Sequence, residues 1–197
     1  MPRSPRILPP AAMLHLIGRS NNKMVLFKDA NDFTQFRRIL LRFFSDQAIF
    51  IHNYVFMHTH IHILAWIDDT SCLAPLMRSI FVSYNHYYRR QYGFHGHIWH
   101  SRFRTVTIEN ESHWAACGRY IELNPMRANI CKRPDKFPWS SYHYYAFGKE
   151  DPLLRPIKGM ARCEKWVKDV GSPDYRSFIL EGLKMDQNAL KHLFSAK

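Results

Sequence analysis

Acidic residues are scarce in this chain, and none falls between Thr70 and Ile108. With 16 Asp and Glu against 28 Lys and Arg, the formal charge is +12 at pH 7. That balance fits a polyanionic partner, nucleic acid ahead of an anionic membrane surface. Cysteine is sparse too. Cys72, Cys117, Cys131 and Cys163 stand far apart with no CxxC pair, which excludes a zinc ribbon or knuckle built from sequence-local ligands. They read as free thiols in a reducing cytoplasm. No apolar run approaches the roughly 20 residues that span a bilayer. Arg3 and Arg6 precede an apolar stretch, but Pro9 and Pro10 interrupt it and the polar Arg19-Ser20-Asn21-Asn22 follows without a small-residue cleavage site. A secretory signal is therefore not expected, and the reading is a soluble, cytoplasmic protein without a membrane partner. Internal repeats and low-complexity tracts are missing as well.

What is present suffices for one packed domain. The chain has 197 residues, 46% of them hydrophobic, too few for two full-sized enzyme domains. Its 14 Phe, 10 Tyr and 5 Trp exceed what a core alone needs. Ala11 to Arg19 reads as a strand ending in the polar turn Ser20-Asn21-Asn22-Lys23. From Asp29 to Asp46, Phe33, Phe36, Ile39, Leu40, Phe43 and Phe44 recur at helical spacing with arginines between them. Ala48 to Met57 and His60 to Ile67 form two β-prone runs joined by a tight connection, and Leu73 to Tyr92 reads as a second helix. Phe103 to Ile108 suggests another strand and Glu111 to Ala128 a third helix, with Phe137 to Tyr142 a ring-bearing loop. The order β-α-β-β-α-β predicts an α+β fold: a ferredoxin-like, split βαβ antiparallel sheet with helices packed on one face. Residues 1–148 would form this domain, and 149–197, punctuated by Gly and Pro, a partly helical or flexible appendage.

Three features carry chemistry. His60 and His62 lie two apart on a predicted strand, so both imidazoles point to one face and can ligate one divalent ion. Alternating histidine also simply fills the half-polar face of an edge strand. His58 shares that parity, which leaves open a three-histidine zinc hydrolase site. Second, Tyr120 and Asn124 stand one helical turn apart, bringing a phenol and an amide to one place; a buried tyrosine followed by a helix-ending Asn before Pro125 explains them equally. Third, the acid-free stretch interleaves Arg78, Arg89, Arg90, Arg102 and Arg104 with Tyr84, Tyr87, Tyr88, Tyr92, Phe94 and Trp99. A basic groove with aromatic platforms is how single-stranded nucleic acid is commonly held. The plain alternative is a helix with an aromatic core side and a solvated arginine side.

Taken in order, these motifs resemble the single-tyrosine HUH transposases of the insertion-sequence-200 class, and among them the REP-associated tyrosine transposases. The resemblance runs through Leu14-His15-Leu16-Ile17-Gly18-Arg19-Ser20-Asn21-Asn22, Met57 to Leu64, Gly96 to Phe103, Tyr120 to Ala128 and Trp139 to Tyr142. It implies that His60, His62 and Asn124 hold Mg²⁺ or Mn²⁺ and that Tyr120 attacks a DNA phosphate. Such enzymes cut single-stranded DNA beside hairpins, forming a 5′-phosphotyrosine and a free 3′-hydroxyl, and rejoin strands by the reverse step. Arg19, Asn21, Asn22 and Arg127 join Arg89, Arg90, Trp99, Arg102 and Arg104 as DNA-binding candidates. A monomer is implied rather than the helix-exchanging dimer of the wider class. His58-Thr59 departs from the family's Pro-Asn, Gly18-Arg19 reverses its Arg-Gly, and His100 and Ser101 replace its Gln and Gly. These changes leave the metal pair and the tyrosine in place but predict an altered hairpin preference. A binding module descended from such an enzyme would keep the basic groove without the cut.

Overall fold

The computed structural model describes residues 7–44, 48–155 and 170–184. Strands β1 (Ala12–Arg19), β2 (Ile49–Met57), β3 (His60–Ile67) and β4 (Arg104–Thr107) form one antiparallel sheet in the spatial order β2-β3-β1-β4. Helices α1 (Ala30–Phe44) and α2 (Leu73–Tyr92) are the crossovers of two interleaved βαβ halves. The split βαβ order expected from the sequence is the one observed. Local chemistry sets the helix ends. Asp29 Oδ1 accepts from the backbone N–H of Asn31 and Asp32 at the start of α1, and α2 stops at Gly93, whose φ of +60° suits a residue without Cβ.

Both helices cover one face of the sheet. On β3, Ile61, Ile63, Ala65 and Ile67 pack there with Phe36, Leu40, Ile80 and Tyr84, so the intervening residues His60, His62 and Leu64 are turned to the opposite face. At Gly18 of β1 a Cβ would lie 2.7 Å from Phe81 Cζ, so α2 sits directly on the strand backbone. β2 does not alternate simply. Its register with β3 slips between Ile51 and Asn53, a bulge at His52 that keeps Ile51 and Tyr54 on the same side. Asn53, Val55 and Met57 are thereby delivered to the opposite face.

That opposite face is covered by α3 (Glu111–Arg127), which packs on β2 and β3 and closes a second cluster of Met13, Val55, Met57, Leu64, Cys117 and Ile121. Asn110 caps it, its Oδ1 accepting from His113 N–H at 2.9 Å. Where the sequence suggested only a loop, a short helix α4 (Tyr142–Phe147) follows, because Tyr142, Tyr145 and Ala146 are buried one turn apart against the first core. The free edge of β2 is covered by main-chain bonds: Phe56 N–H to Trp139 C=O at 2.9 Å and Arg155 N–H to Ile51 C=O at 3.1 Å.

The packing does not stop at Gly148. Leu153, Leu154 and, from α5 (Pro173–Glu181), Tyr175 and Ile179 are buried in the first core. The rest of the proposed appendage, 156–169 and 185–197, lies outside the described residues. Among those described, Cys72, Cys117 and Cys131 are free thiols, and no helix is long and apolar enough to cross a membrane.

Candidate functional site

The site forms between β3 and α3. Across the β1–β3 ladder Arg19 stands opposite His60 and Ile17 opposite His62, so an arginine borders the histidine pair. The two imidazoles are perpendicular with centroids 5.0 Å apart. Each is held at Nδ1: His60 lies 3.0 Å from Thr59 Oγ1, and His62 lies 2.8 Å from His15 Nε2. From above, α3 lowers Tyr120 so that its ring meets His62 edge-on at 5.7 Å and His15 at 6.3 Å. Asn124, one turn on, sits close enough to the His60 ring and the Tyr120 phenol to bear on the protonation of both, and its Nδ2 donates to Tyr120 C=O at 3.1 Å. The sequence-predicted quartet of Tyr120, His60, His62 and Asn124 is therefore brought together within one chain.

The electrostatics suit metal binding and phenol chemistry. Burial lowers His60 to about 4, with the Arg19 charge adding to the shift. His62 is driven well below its ordinary value, first by burial and then by the neighbouring imidazoles and Arg19. Both rings are thus neutral at pH 7 and carry a lone pair for a cation. Burial raises the Tyr120 phenol, while the Asn124 hydrogen bond and the Arg127 and Arg19 charges pull it back down. The Arg127 guanidinium lies 5.3 Å from the Tyr120 ring centroid, donating to Tyr120 C=O at 3.4 Å and Gly182 C=O at 3.2 Å. It acts on the tyrosine from within the fold.

Two imidazoles and one amide oxygen form a mixed N/O donor set that suits a divalent cation whose remaining positions go to water or phosphate oxygens. His58 does not join it. Its Nδ1 is bonded to Phe27 C=O at 2.8 Å and its ring packs edge-on to Phe33. Among the described residues, no group of three His, Cys, Asp or Glu side chains is placed to hold a metal, so the three-histidine zinc reading is corrected.

Beside the site runs an open groove of about 730 Å³, lined by Arg19, Asn22, Lys23, Arg102, Phe103 and Arg104 among others. It collects four cations and no carboxylate, as a sugar-phosphate backbone requires. Asn21 holds the turn at its rim, its N–H donating to Ile98 C=O at 2.7 Å. Lys23, not singled out from sequence, enters because the turn places it there with a φ of +56°. Other candidates fall elsewhere. Arg89 and Arg90 are exposed near the end of α2, the helix on the far face of the sheet. Trp99 is core: 9% exposed, stacked on Phe81 at 3.9 Å, its Nε1–H given to Phe81 C=O. A ring so placed offers no free face to a base, which corrects the stacking expectation. The tyrosines of α2 are structural in the same way. Tyr84 and Tyr88 donate to Leu26 and Val25 carbonyls, and Tyr87 and Tyr92 share the buried Asp32 carboxylate.

Stability should be acid-sensitive. Burial lowers His15 to about 3, with His113 adding to it, and lowers His52 to about 4. The unfolded chain, with imidazoles near 6.5, therefore binds more protons than the native one between about pH 4 and 6.5. Native stability rises with pH through that window and is lost as pH falls through it. Chemical denaturation at pH 4.5, 5.5, 6.5 and 7.5 should show the midpoint climbing towards neutrality; a flat series would contradict the buried neutral imidazoles.

Residues 10–124 match the family described as transposase IS200 like. The fold is shared with a solved structure of a REP-associated tyrosine transposase bound to a REP hairpin, at a TM-score of 0.62 and 20% identity, over 80% of this chain and 93% of that one. No curated protein matches. With the family match running from β1 through the strand of His60 and His62 to Asn124, this chain belongs to the IS200-like transposases.

Proposed function

We propose that the protein cuts and rejoins single-stranded DNA beside hairpins, with Tyr120 as the nucleophile. The observation that carries this reading is the meeting of the Tyr120 ring, edge-on to His62 at 5.7 Å, with the perpendicular His60–His62 pair and with Asn124 one turn along α3. The Tyr120 oxygen attacks phosphorus and gives its phenolic proton to solvent, while the bond from phosphorus to the 3′-oxygen breaks and that oxygen takes up a proton from solvent. A 5′-phosphotyrosine and a 3′-hydroxyl result; attack by a 3′-hydroxyl reverses the step without ATP. Arg127 and Arg19 favour the phenolate, and the groove from Arg19 to Arg104 holds the strand. His60, His62 and Asn124 would hold Mg²⁺ or Mn²⁺, which when bound would supply Lewis-acid polarisation of the phosphate. Because all four residues come from one chain, a monomer suffices. The hairpin is the partner seen with the similar transposase, and the groove chemistry suits its single-stranded flank.

The test mixes the protein with end-labelled hairpin DNAs bearing single-stranded flanks, with Mn²⁺ or with chelator, on denaturing gels. A covalent adduct that forms only with Mn²⁺ is expected, chelation slowing it by on the order of 10³-fold or more. Binding without an adduct across the hairpin set would make the chain a binding module instead.

A further inference from the structure

We propose that His15 and Thr59 are positioning residues that set the tautomers of His62 and His60, so that both rings turn an Nε2 lone pair toward one divalent cation. The proposal rests on the ligand assignment above and adds the groups standing behind the ligands. A neutral imidazole carries one proton, so whatever sits at Nδ1 decides what Nε2 can do. When His62 Nδ1–H donates to His15 Nε2, 2.8 Å away, His62 Nε2 keeps its lone pair; with the roles reversed, Nε2 carries hydrogen and cannot ligate. Thr59 Oγ1, 3.0 Å from His60 Nδ1, can accept in the same way.

Neither partner is free to drift. His15 is 0% exposed on β1, diagonal to His62 because Ile17 is the residue directly opposite, and the two rings stack at 5.0 Å and 27°. Thr59 is pinned through its main chain: its C=O accepts from Ser20 N–H at 2.8 Å, and the preceding His58 C=O accepts from Leu26 N–H at 2.6 Å. The His58-Thr59 turn thus supplies a hydroxyl at the place where the first ligand needs an acceptor. Supporting partners of this kind typically change metal affinity about 10- to 100-fold when removed.

Two measurements on the full chain test this. In nitrogen-15 long-range correlation spectra of the imidazoles at neutral pH without added metal, His60 and His62 should both carry hydrogen at Nδ1; either one found with hydrogen at Nε2 overturns its assignment. In Mn²⁺ titrations followed by electron paramagnetic resonance, His15→Leu and Thr59→Val should each weaken binding about 10- to 100-fold. His15→Gln, whose amide oxygen can accept from His62 Nδ1–H, should recover most of the loss. His60→Ala separates the two levels. If it retains wild-type Mn²⁺ affinity, the ligand assignment fails and the positioning role with it. If it loses Mn²⁺ while His15→Leu binds as tightly as wild type, the positioning role alone is overturned.

Discussion

Tyr120→Phe should leave a folded protein that binds hairpin DNA and forms no covalent adduct with it. The ring is 7% exposed and packs by its edges against His62 and His15, contacts that phenylalanine keeps. What goes is the phenolic oxygen, the group on which Asn124, Arg127 and Arg19 bear. Losing a covalent nucleophile costs on the order of 10⁶-fold in the chemical step, far below detection on a gel. No neighbouring tyrosine can stand in: Tyr87 and Tyr92 are bonded to Asp32, packed against α1 on the other face of the sheet. Affinity for DNA should change little, because the groove cations lie outside the ring's contacts. Equal adduct formation by the two proteins would remove Tyr120 from its role.

Glu122→Leu should destabilise the whole domain, by about 3–5 kcal/mol, because three buried donors lose their acceptor at about 1–3 kcal/mol each, partly relieved by relaxation. Glu122 is 1% exposed, on the side of α3 away from Tyr120. Its Oε1 accepts from Asn53 Nδ2 and Ser141 Oγ, both at 2.8 Å, and its Oε2 from Tyr175 Oη at 2.7 Å. One carboxyl group thus joins α3 to β2, to the start of α4 and to α5. Leucine would leave all three donors without it. For a chain of this length the fall in Tm is on the order of 10 °C. Glu122→Gln should be far milder, since its oxygen can serve Asn53 and Ser141 and its amide can donate to Tyr175.

The same residue predicts a pH signature opposite to that of the buried histidines. Burial raises Glu122 to about 7, against the three hydrogen bonds that pull it down. A carboxyl raised on folding holds its proton better in the native state, so its contribution is full below about 4.5 and is lost as pH rises through about 7. Subtracting the stability of Glu122→Gln from that of wild type at pH 5 and at pH 8 isolates the effect. The difference should be more favourable to wild type at pH 5; no change between the two would mean the carboxyl is ionised throughout.

Much of this was legible in the chain. Period-two and helical spacing show four strands and three helices in split βαβ order because each element buries one face, and that burial is written in residue type. The histidine pair was legible for the same reason, since residues two apart on a strand must share a face. Tyr120 and Asn124 were legible as a pair by helical spacing. Other features depended on partners distant in sequence. His58 has the parity of His60 and His62 but lies in the turn, where Phe27 C=O claims its ring. Trp99 and the α2 tyrosines have the composition of a nucleic-acid platform, yet they fill the space between α2 and the sheet.

The sequence by itself determined the family motifs, the order of elements and which side chains are the candidate reacting groups, because spacing and residue type are local properties. Only the tertiary structure decided which imidazole lies behind which histidine of the pair, which arginines reach the groove and which aromatics are core. His15 meets His62 through the β1–β3 register, Lys23 reaches the groove through a left-handed turn, and Glu122 finds its three donors on three other segments. Those outcomes follow from the packing of chain segments far apart in sequence, where shape and hydrogen-bond satisfaction select one arrangement among many with the same local pattern.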